Sequence, residues 1–343
     1  MDMQYMSSWA NLGIPRKRNL HQIPEGLRPT IITRAQRPEV IQSESFQEQE
    51  NEIIYPSGSE DSSFPTPDMN AYSRSYPVRK MELNPAPNAI ELRFSDKSYV
   101  FVILRNIRTA RDNDLWMASY QSVRRFYTNK IIIIDDNSDI NTVNGKLVNT
   151  EVIRSDYNGA GEVLPYYYFF VNKWADRMVF LHDSMFLHRR FTDAELSSTV
   201  RFHWHFSNSE IRNDRKIGTY LSMLPHHEGL LDYANQPDSI WNGCFGGASI
   251  IDLDIVTQLE EAYSFFSTLV LSIKTRKDRE TFERLFGIAL HFGNMIEEPF
   301  SNFGNIVKYP NAFESQVSTP DQGAYALSQK GYDTAIIKVW RGR

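Results

Sequence analysis

At 343 residues, with 41% hydrophobic, 13% aromatic and 23% charged side chains, the chain is too long for a stapled mini-protein and too apolar for a wholly disordered or collagen-like polymer. Its 37 basic and 42 acidic residues give a net charge of −5, with no basic footprint of the sort that binds nucleic acid. One cysteine, Cys244, excludes an intrachain disulfide and a cysteine-built zinc site, and suits a reducing compartment.

The composition breaks near residue 96. Residues 1–96 hold ten of the 16 prolines but only three of the 17 glycines, with polar stretches such as IQSESFQEQENE and no sustained periodicity. Such a segment buries too little apolar surface to offset its ordering entropy, so a mostly disordered arm is expected over 1–96, ahead of one domain over 97–343. The N-terminus MDMQYMSSWANLGIPRKRN has no apolar core ahead of a cleavage site, so it does not resemble a secretion signal. The longest apolar stretch, FFSTLVLSI at 265–273, falls short of the ~18 residues of a membrane span. A soluble cytoplasmic protein with no membrane span is expected.

SYVFVILRNI (98–107) predicts a buried strand. After Asp112, a candidate helix cap, Leu115, Trp116, Tyr120, Val123 and Tyr127 recur at helical spacing. KIIIID (130–135) is a second buried strand, ended by the turn-rich DDNSD, and TEVIRS (150–155) a weaker third. The loop DYNGAG leads into the aromatic helix EVLPYYYFFVNKWA, and RMVFLHD (177–183) makes a fourth strand. This order is the signature of a parallel α/β sheet with helices on both faces. Strand C-termini then share one edge, where open sheets bind ligands. That edge carries Arg105–Asn106, Asp135–Asp136 and His182–Asp183–Ser184.

Later segments are mixed. RFHWHFSN (201–208) suggests a further strand, and WNGCFGGASIID (241–252) a glycine-bearing loop entering another. IVTQLEEAYSFFSTLVLSI and RETFERLFGIALHF have helical patterns joined by the basic linker KTRKD, and YDTAIIKVWRGR closes with a short strand and a cationic end. There is no GxxxxGK[ST] loop and no GxGxxG after the first strand, which argues against P-loop ATPases and dinucleotide oxidoreductases. Ser184 and Ser249 lack a GxSxG elbow, which argues against a serine hydrolase. His203 and His205 alternate on one strand face without a third ligand at supporting spacing, so core or edge histidines are expected; Cys244 is expected as a small packed residue.

The opening strand VFVILRNIRTARDNDLW, the strand endings IIIIDDNSD and MVFLHDSMFL, and the later WNGCFGG, RETFERLFG and KVWRGR together resemble the GT-A class of nucleotide-sugar glycosyltransferases. The likeness is to family-2-like enzymes and related proteins of large DNA viruses, and it covers roughly residues 98–343. The resemblance implies a GT-A-like, Rossmann-like fold that moves a sugar from a UDP- or GDP-sugar to a hydroxyl of a glycan or glycoprotein, in host cytoplasm if the protein is viral. It places the nucleoside contact at Asp135 or Asp136, beside Arg105. In this class the fourth strand ends in an Asp-any-Asp pair holding Mn²⁺ or Mg²⁺ against the diphosphate. Here that strand ends His182–Asp183–Ser184, with one carboxylate where the pattern carries two. Asp183 with His182 or Ser184 is one candidate metal site; the cations Lys338, Arg341 and Arg343 are the alternative stabilisers of the leaving group.

Gly161, in the loop before the aromatic helix, lets backbone approach a sugar or phosphate near helix N–H groups. Trp241, Asn242, Gly246 and Gly247 match a loop that walls the sugar or acceptor, with Trp241 able to stack on a pyranose face. An inverting enzyme needs a base for the acceptor hydroxyl, and Glu280 and Glu283 occupy the matching helix. Two other readings stay open: a non-catalytic sugar-nucleotide or glycan-binding protein on the same fold, and a metal-dependent hydrolase using Asp183 with the FHWHF histidines.

Overall fold

The computed structural model describes residues 85–143, 145, 147–208, 216–236, 241–309 and 320–339; residues 1–84 of the arm expected over 1–96, and Arg341 and Arg343, lie outside the described residues. The chain begins with β1 (Tyr99–Arg105), α1 (Ala110–Phe126), β2 (Ile131–Asp135) and β3 (Thr150–Arg154). A single 3₁₀ turn (Gly161–Val163) then enters α2 (Leu164–Asn172), followed by β4 (Arg177–His182), β5 (Met185–Leu187) and α3 (Asp193–Leu196). Next come β6 (Val200–Phe202), β7 (His205–Ser207), α4 (Lys216–Leu221), α5 (Glu228–Asn235), β8 (Asn242–Cys244) and β9 (Ser249–Asp252). The described chain closes with α6 (Leu253–Tyr263), α7 (Phe265–Ser272), α8 (Arg276–Phe292), α9 (Pro320–Gln329) and β10 (Ile336–Lys338).

The central sheet has the order β3-β2-β1-β4-β9-β6. β1 pairs in parallel with β2 and β4, and β2 with β3, while β9 runs antiparallel between β4 and β6. β1 and β2 are buried along their whole length, as expected of strands covered by helices on both faces. The result is a GT-A-like, Rossmann-like α/β fold with a mostly parallel sheet. β10 pairs with β5, and β7 with β8, in two small ribbons.

Several expectations are refined. Thr109, not Asp112, caps α1; Asp112 is the reciprocal acid of a capping box, its side chain accepting from the Thr109 N–H. The presumed linker before RETFER is the first turn of α8: Thr275 caps it and Asp278 closes the box, so Glu283 sits two turns inside the helix. RFHWHFSN divides between two sheets, β6 pairing with β9 and β7 with β8. The long helical pattern 255–273 breaks at Ser264, which takes a left-handed conformation at φ 46° between α6 and α7. Residues 85–96 also pack onto the domain: Leu92 is buried and its N–H donates to Asn129 Oδ1 at 2.6 Å, while Ile90 bridges to Tyr127.

Candidate functional site

The strand order reverses between β1 and β4, and the crevice beyond the carboxyl ends at such a switch is where open α/β sheets bind ligands. A cleft of about 650 Å³ opens there, within the range of small-molecule sites. Its floor is the ends of three strands: Leu104 and Asn106 after β1, Asp136 after β2, and His182, Asp183 and Ser184 after β4. The Asn106 N–H donates to Asp183 Oδ2 at 3.3 Å and the Asn106 amide to the Asp136 carbonyl, so this asparagine ties the three strand ends together. Gly161, Gly246, Glu280, Glu283 and Lys338 also line the cleft, with Arg108, Lys274, Arg276, Arg279 and Arg284.

The two acids after β2 have different environments. Asp135 is buried and engaged: its Oδ2 takes Arg105 Nε at 2.6 Å and its Oδ1 the Ser138 N–H at 2.9 Å. Arg105 in turn lies 4.5 Å over the Trp116 ring. Neither Arg105 nor Asp135 lines the cleft. Asp136 does, and its two oxygens accept the N–H groups of Gly159 (2.7 Å) and Gly161 (3.1 Å). Burial pushes its carboxyl up, and those backbone donors pull it partly back. Asp136 thus clamps the glycine loop onto the sheet edge. Gly161 needs to be glycine here: φ is +52°, and a Cβ would fall 1.9 Å from the Arg279 side chain.

At the end of β4, His182 Nε2 lies 2.5 Å from the Gly246 carbonyl, so that nitrogen is the donor, and the ring stacks on Phe180. Ser184 Oγ accepts from Lys338 Nζ at 2.5 Å. The antiparallel pairing of β10 with β5 sets this contact, placing Lys338 opposite Met185. Against this geometry the Mn²⁺ or Mg²⁺ expectation lacks a donor set. Asp183 is a single carboxylate, the His182 nitrogen facing the turn is committed as a donor, and a lysine ammonium sits on the neighbouring serine. Among the described residues no group of three or more His, Cys, Asp or Glu gathers to hold an ion.

The two candidate bases on α8 also separate. Glu280 is exposed and pairs with Arg276 at 3.2 Å. Glu283 faces the cleft, half-buried, and accepts a hydrogen bond from the Gly246 backbone. Burial holds its carboxyl well above the usual range, and the nearby Glu162 pushes it further. Arg279 pairs with Glu162, Nε to Oε2 at 3.2 Å, rather than with Glu283.

The 241–247 segment contributes only in part. Phe245 and Gly246 line the cleft. Trp241 is buried, and Asn242 lies in β8, its N–H directed to His291 Nε2 at 3.1 Å. Gly247 is held from below by the Tyr166 hydroxyl, which donates to its carbonyl and pairs with Ser249 Oγ at 2.7 Å. Tyr166 itself sits among Phe180, Phe266, Phe282 and Phe286. Glu162, Tyr166 and Arg279 are therefore site residues that the sequence patterns did not single out. Only Tyr166 carried a usable signal, as a polar-tipped ring in an apolar helix.

The FHWHF histidines do not meet at a ligand. His203 is fully buried, with Nε2 3.0 Å from the Phe180 carbonyl, and His205 Nδ1 lies 2.7 Å from Ser301 Oγ. Burial lowers the His203 imidazole from 6.5 to about 3. The group is kept neutral by folding, so its stabilising effect is full above pH 6.5 and is lost as pH falls toward 3, where the unfolded chain binds the extra proton. Urea unfolding should show stability falling by up to about 1.4 kcal/mol per pH unit in that window from this residue, and His203→Phe should remove that slope.

No family model matches the chain, and no curated protein matches it. Among solved structures, the crystal structure of S. aureus TarS 1-349 is similar to it with 10% sequence identity and a TM-score of 0.29, over 55% of each chain. The match thus spans about half the length of that structure. Among the described residues no helix is long and apolar enough to cross a membrane.

Proposed function

We propose that the protein is a glycosyltransferase that moves a hexosyl or pentosyl group from a UDP- or GDP-sugar to a hydroxyl of a glycan or glycoprotein, in the cytoplasm. One observation carries this reading. In the cleft at the switch point, a carboxyl of raised proton affinity, Glu283, lines the same cavity as the cations Arg279 and Lys338. A raised carboxyl is a stronger base once ionised, which suits removal of a hydroxyl proton. The cations suit the diphosphate that leaves.

In the reaction the acceptor oxygen attacks the anomeric carbon while its proton passes to Glu283. The bond from that carbon to the donor's phosphate oxygen breaks, and the nucleoside diphosphate departs with the electron pair. The displacement inverts the anomeric centre. Lys338 and Arg279 neutralise the departing charge. Asp136 acts through the loop it clamps, keeping the Gly159–Gly161 backbone against the donor. Asn106, Arg108 and Asn137 supply polar contacts to the nucleoside. Lys338→Ala should weaken UDP or GDP binding about tenfold, the worth of one charge-assisted contact, as read by calorimetry.

Thermal shift and calorimetry against a nucleotide panel, with and without Mn²⁺, test the proposal. Stabilisation by a uridine or guanosine diphosphate is the expected result, and no stabilisation by any nucleoside diphosphate would sink it. The single carboxylate after β4 favours a second reading, a sugar-nucleotide-binding protein without turnover; tight binding with no donor consumed in the presence of acceptors would select it.

A further inference from the structure

Glu162 belongs to none of the roles above, yet it lines the cleft. It lies on the 3₁₀ turn between the glycine loop and α2, and lines the cleft with Glu283. Its side chain packs against Gly247: a Cβ there would lie 3.1 Å from Glu162 Cβ, at a φ of +61°. The adjacent Gly246 N–H serves Glu283. The two carboxyls therefore flank one Gly-Gly turn, Glu162 against Gly247 and Glu283 against Gly246. Glu162 Oε2 is buried and makes no hydrogen bond of proper geometry, although Arg279 Nε is 3.2 Å away. The same guanidinium reaches back over the loop, Nη1 to the Gly159 carbonyl at 3.3 Å.

We propose that Glu162 is a positioning residue of this cleft, holding the Arg279 guanidinium over the glycine loop in a form that an incoming phosphate can take over, and setting the charge that Glu283 faces. A buried carboxylate oxygen without a hydrogen bond is a poor permanent partner for an arginine, whereas a phosphate offers the bidentate geometry that a guanidinium prefers. When anion replaces carboxylate at Arg279, Glu162 loses its nearest cation, and the site takes up a proton.

The surroundings fit such coupling. Facing Glu162 are Arg279 from α8, Asp136 from the end of β2 and Lys338 from β10. Facing Glu283 are Glu162, Arg284 and Glu280 of its own helix, and Cys244 of β8. Burial raises both carboxyls. The role given to Glu283 rests on the transferase reading; the contact between Glu162 and Arg279 does not.

The test needs no sugar donor. In protein labelled with ¹³C at glutamate carboxyls, Glu162→Gln should move the Glu283 titration midpoint down toward the ordinary carboxylate range, and further than Glu280→Gln does. Pyrophosphate should bind Glu162→Gln about tenfold more tightly than wild type, because Arg279 has lost its competing carboxylate. An unmoved Glu283 midpoint, or pyrophosphate affinity unchanged or weakened, would overturn the proposal. If Glu162→Gln does not fold, Arg279→Gln carries the same test: the Glu162 midpoint should rise, and a constant midpoint overturns it. Failure of every nucleoside diphosphate to bind would count against the transferase reading while leaving these titrations to stand on their own.

Discussion

Glu283→Gln should lower the rate of glycosyl transfer about 10²–10⁴-fold, the usual worth of a general base, with donor binding retained. The amide keeps the shape of the side chain and its acceptor oxygen for the Gly246 N–H, so the turn that walls the cleft stays in place. Only the capacity to take a proton is lost. The wild-type rate should rise with pH along an acid limb lying above the ordinary carboxylate range, because burial and Glu162 both disfavour ionisation of Glu283. Stability moves the other way. A carboxyl raised in the folded state binds its proton more tightly there than in the unfolded chain. Its contribution is therefore full below the ordinary glutamate value of 4.5 and is lost as pH rises through the raised value. At pH 8 the glutamine variant should be more stable than wild type by about 1–2 kcal/mol, the cost of a buried polar group left without full compensation, and the gain should vanish at pH 4. Equal rates in the two proteins would remove Glu283 from the mechanism.

Arg105→Ala is the second large effect, and it falls on stability. It leaves Asp135 buried with no counter-charge, which typically costs about 3–5 kcal/mol, a large share of a domain's total. Arg105→Met combined with Asp135→Asn should recover most of that loss in chemical denaturation. The asparagine still accepts from the Ser138 N–H, and no charge remains to be compensated. The double variant should also still bind nucleoside diphosphate, since neither residue lines the cleft. Loss of that binding in a folded double variant would return Asp135 to direct nucleoside contact.

The architecture was legible where hydrophobic pattern alone decides it. Runs such as IIIID and VFVILR are short and rich in β-branched residues, which favours buried strands over helix, and the helix between them has a clear apolar stripe. Strand direction was not legible, because a period-two pattern is the same read either way; hence β9 enters the sheet antiparallel without a sequence signal. Nor did the pattern show that RFHWHFSN would split between two sheets, since the run carries no glycine or proline to mark a break.

At the site, the sequence located the strand ends, and with them Asp136, His182 and Asp183 on the cleft floor. It could not divide labour among neighbours. Asp135 and Asp136 are adjacent and identical in type, yet the pleat sends one toward Arg105 and the other toward the glycine loop. Trp241 resembled an exposed sugar platform and is buried instead, because tryptophan serves packing and stacking alike. Nothing in the local sequence pattern marks Glu162. Its position opposite Gly247 depends on the fold of α8 and the β8–β9 turn, some 80 or more residues later.

In the proposed reaction this cleft binds an activated sugar and Glu283 takes the acceptor proton. The most direct test is release of nucleoside diphosphate from UDP- and GDP-sugars, measured in the presence of hydroxyl acceptors for wild type and Glu283→Gln side by side. Acceptor-dependent release by wild type, with donor binding but no release by the variant, is the expected result. Release at the same rate by both proteins, or no binding of any donor by wild type, would contradict it.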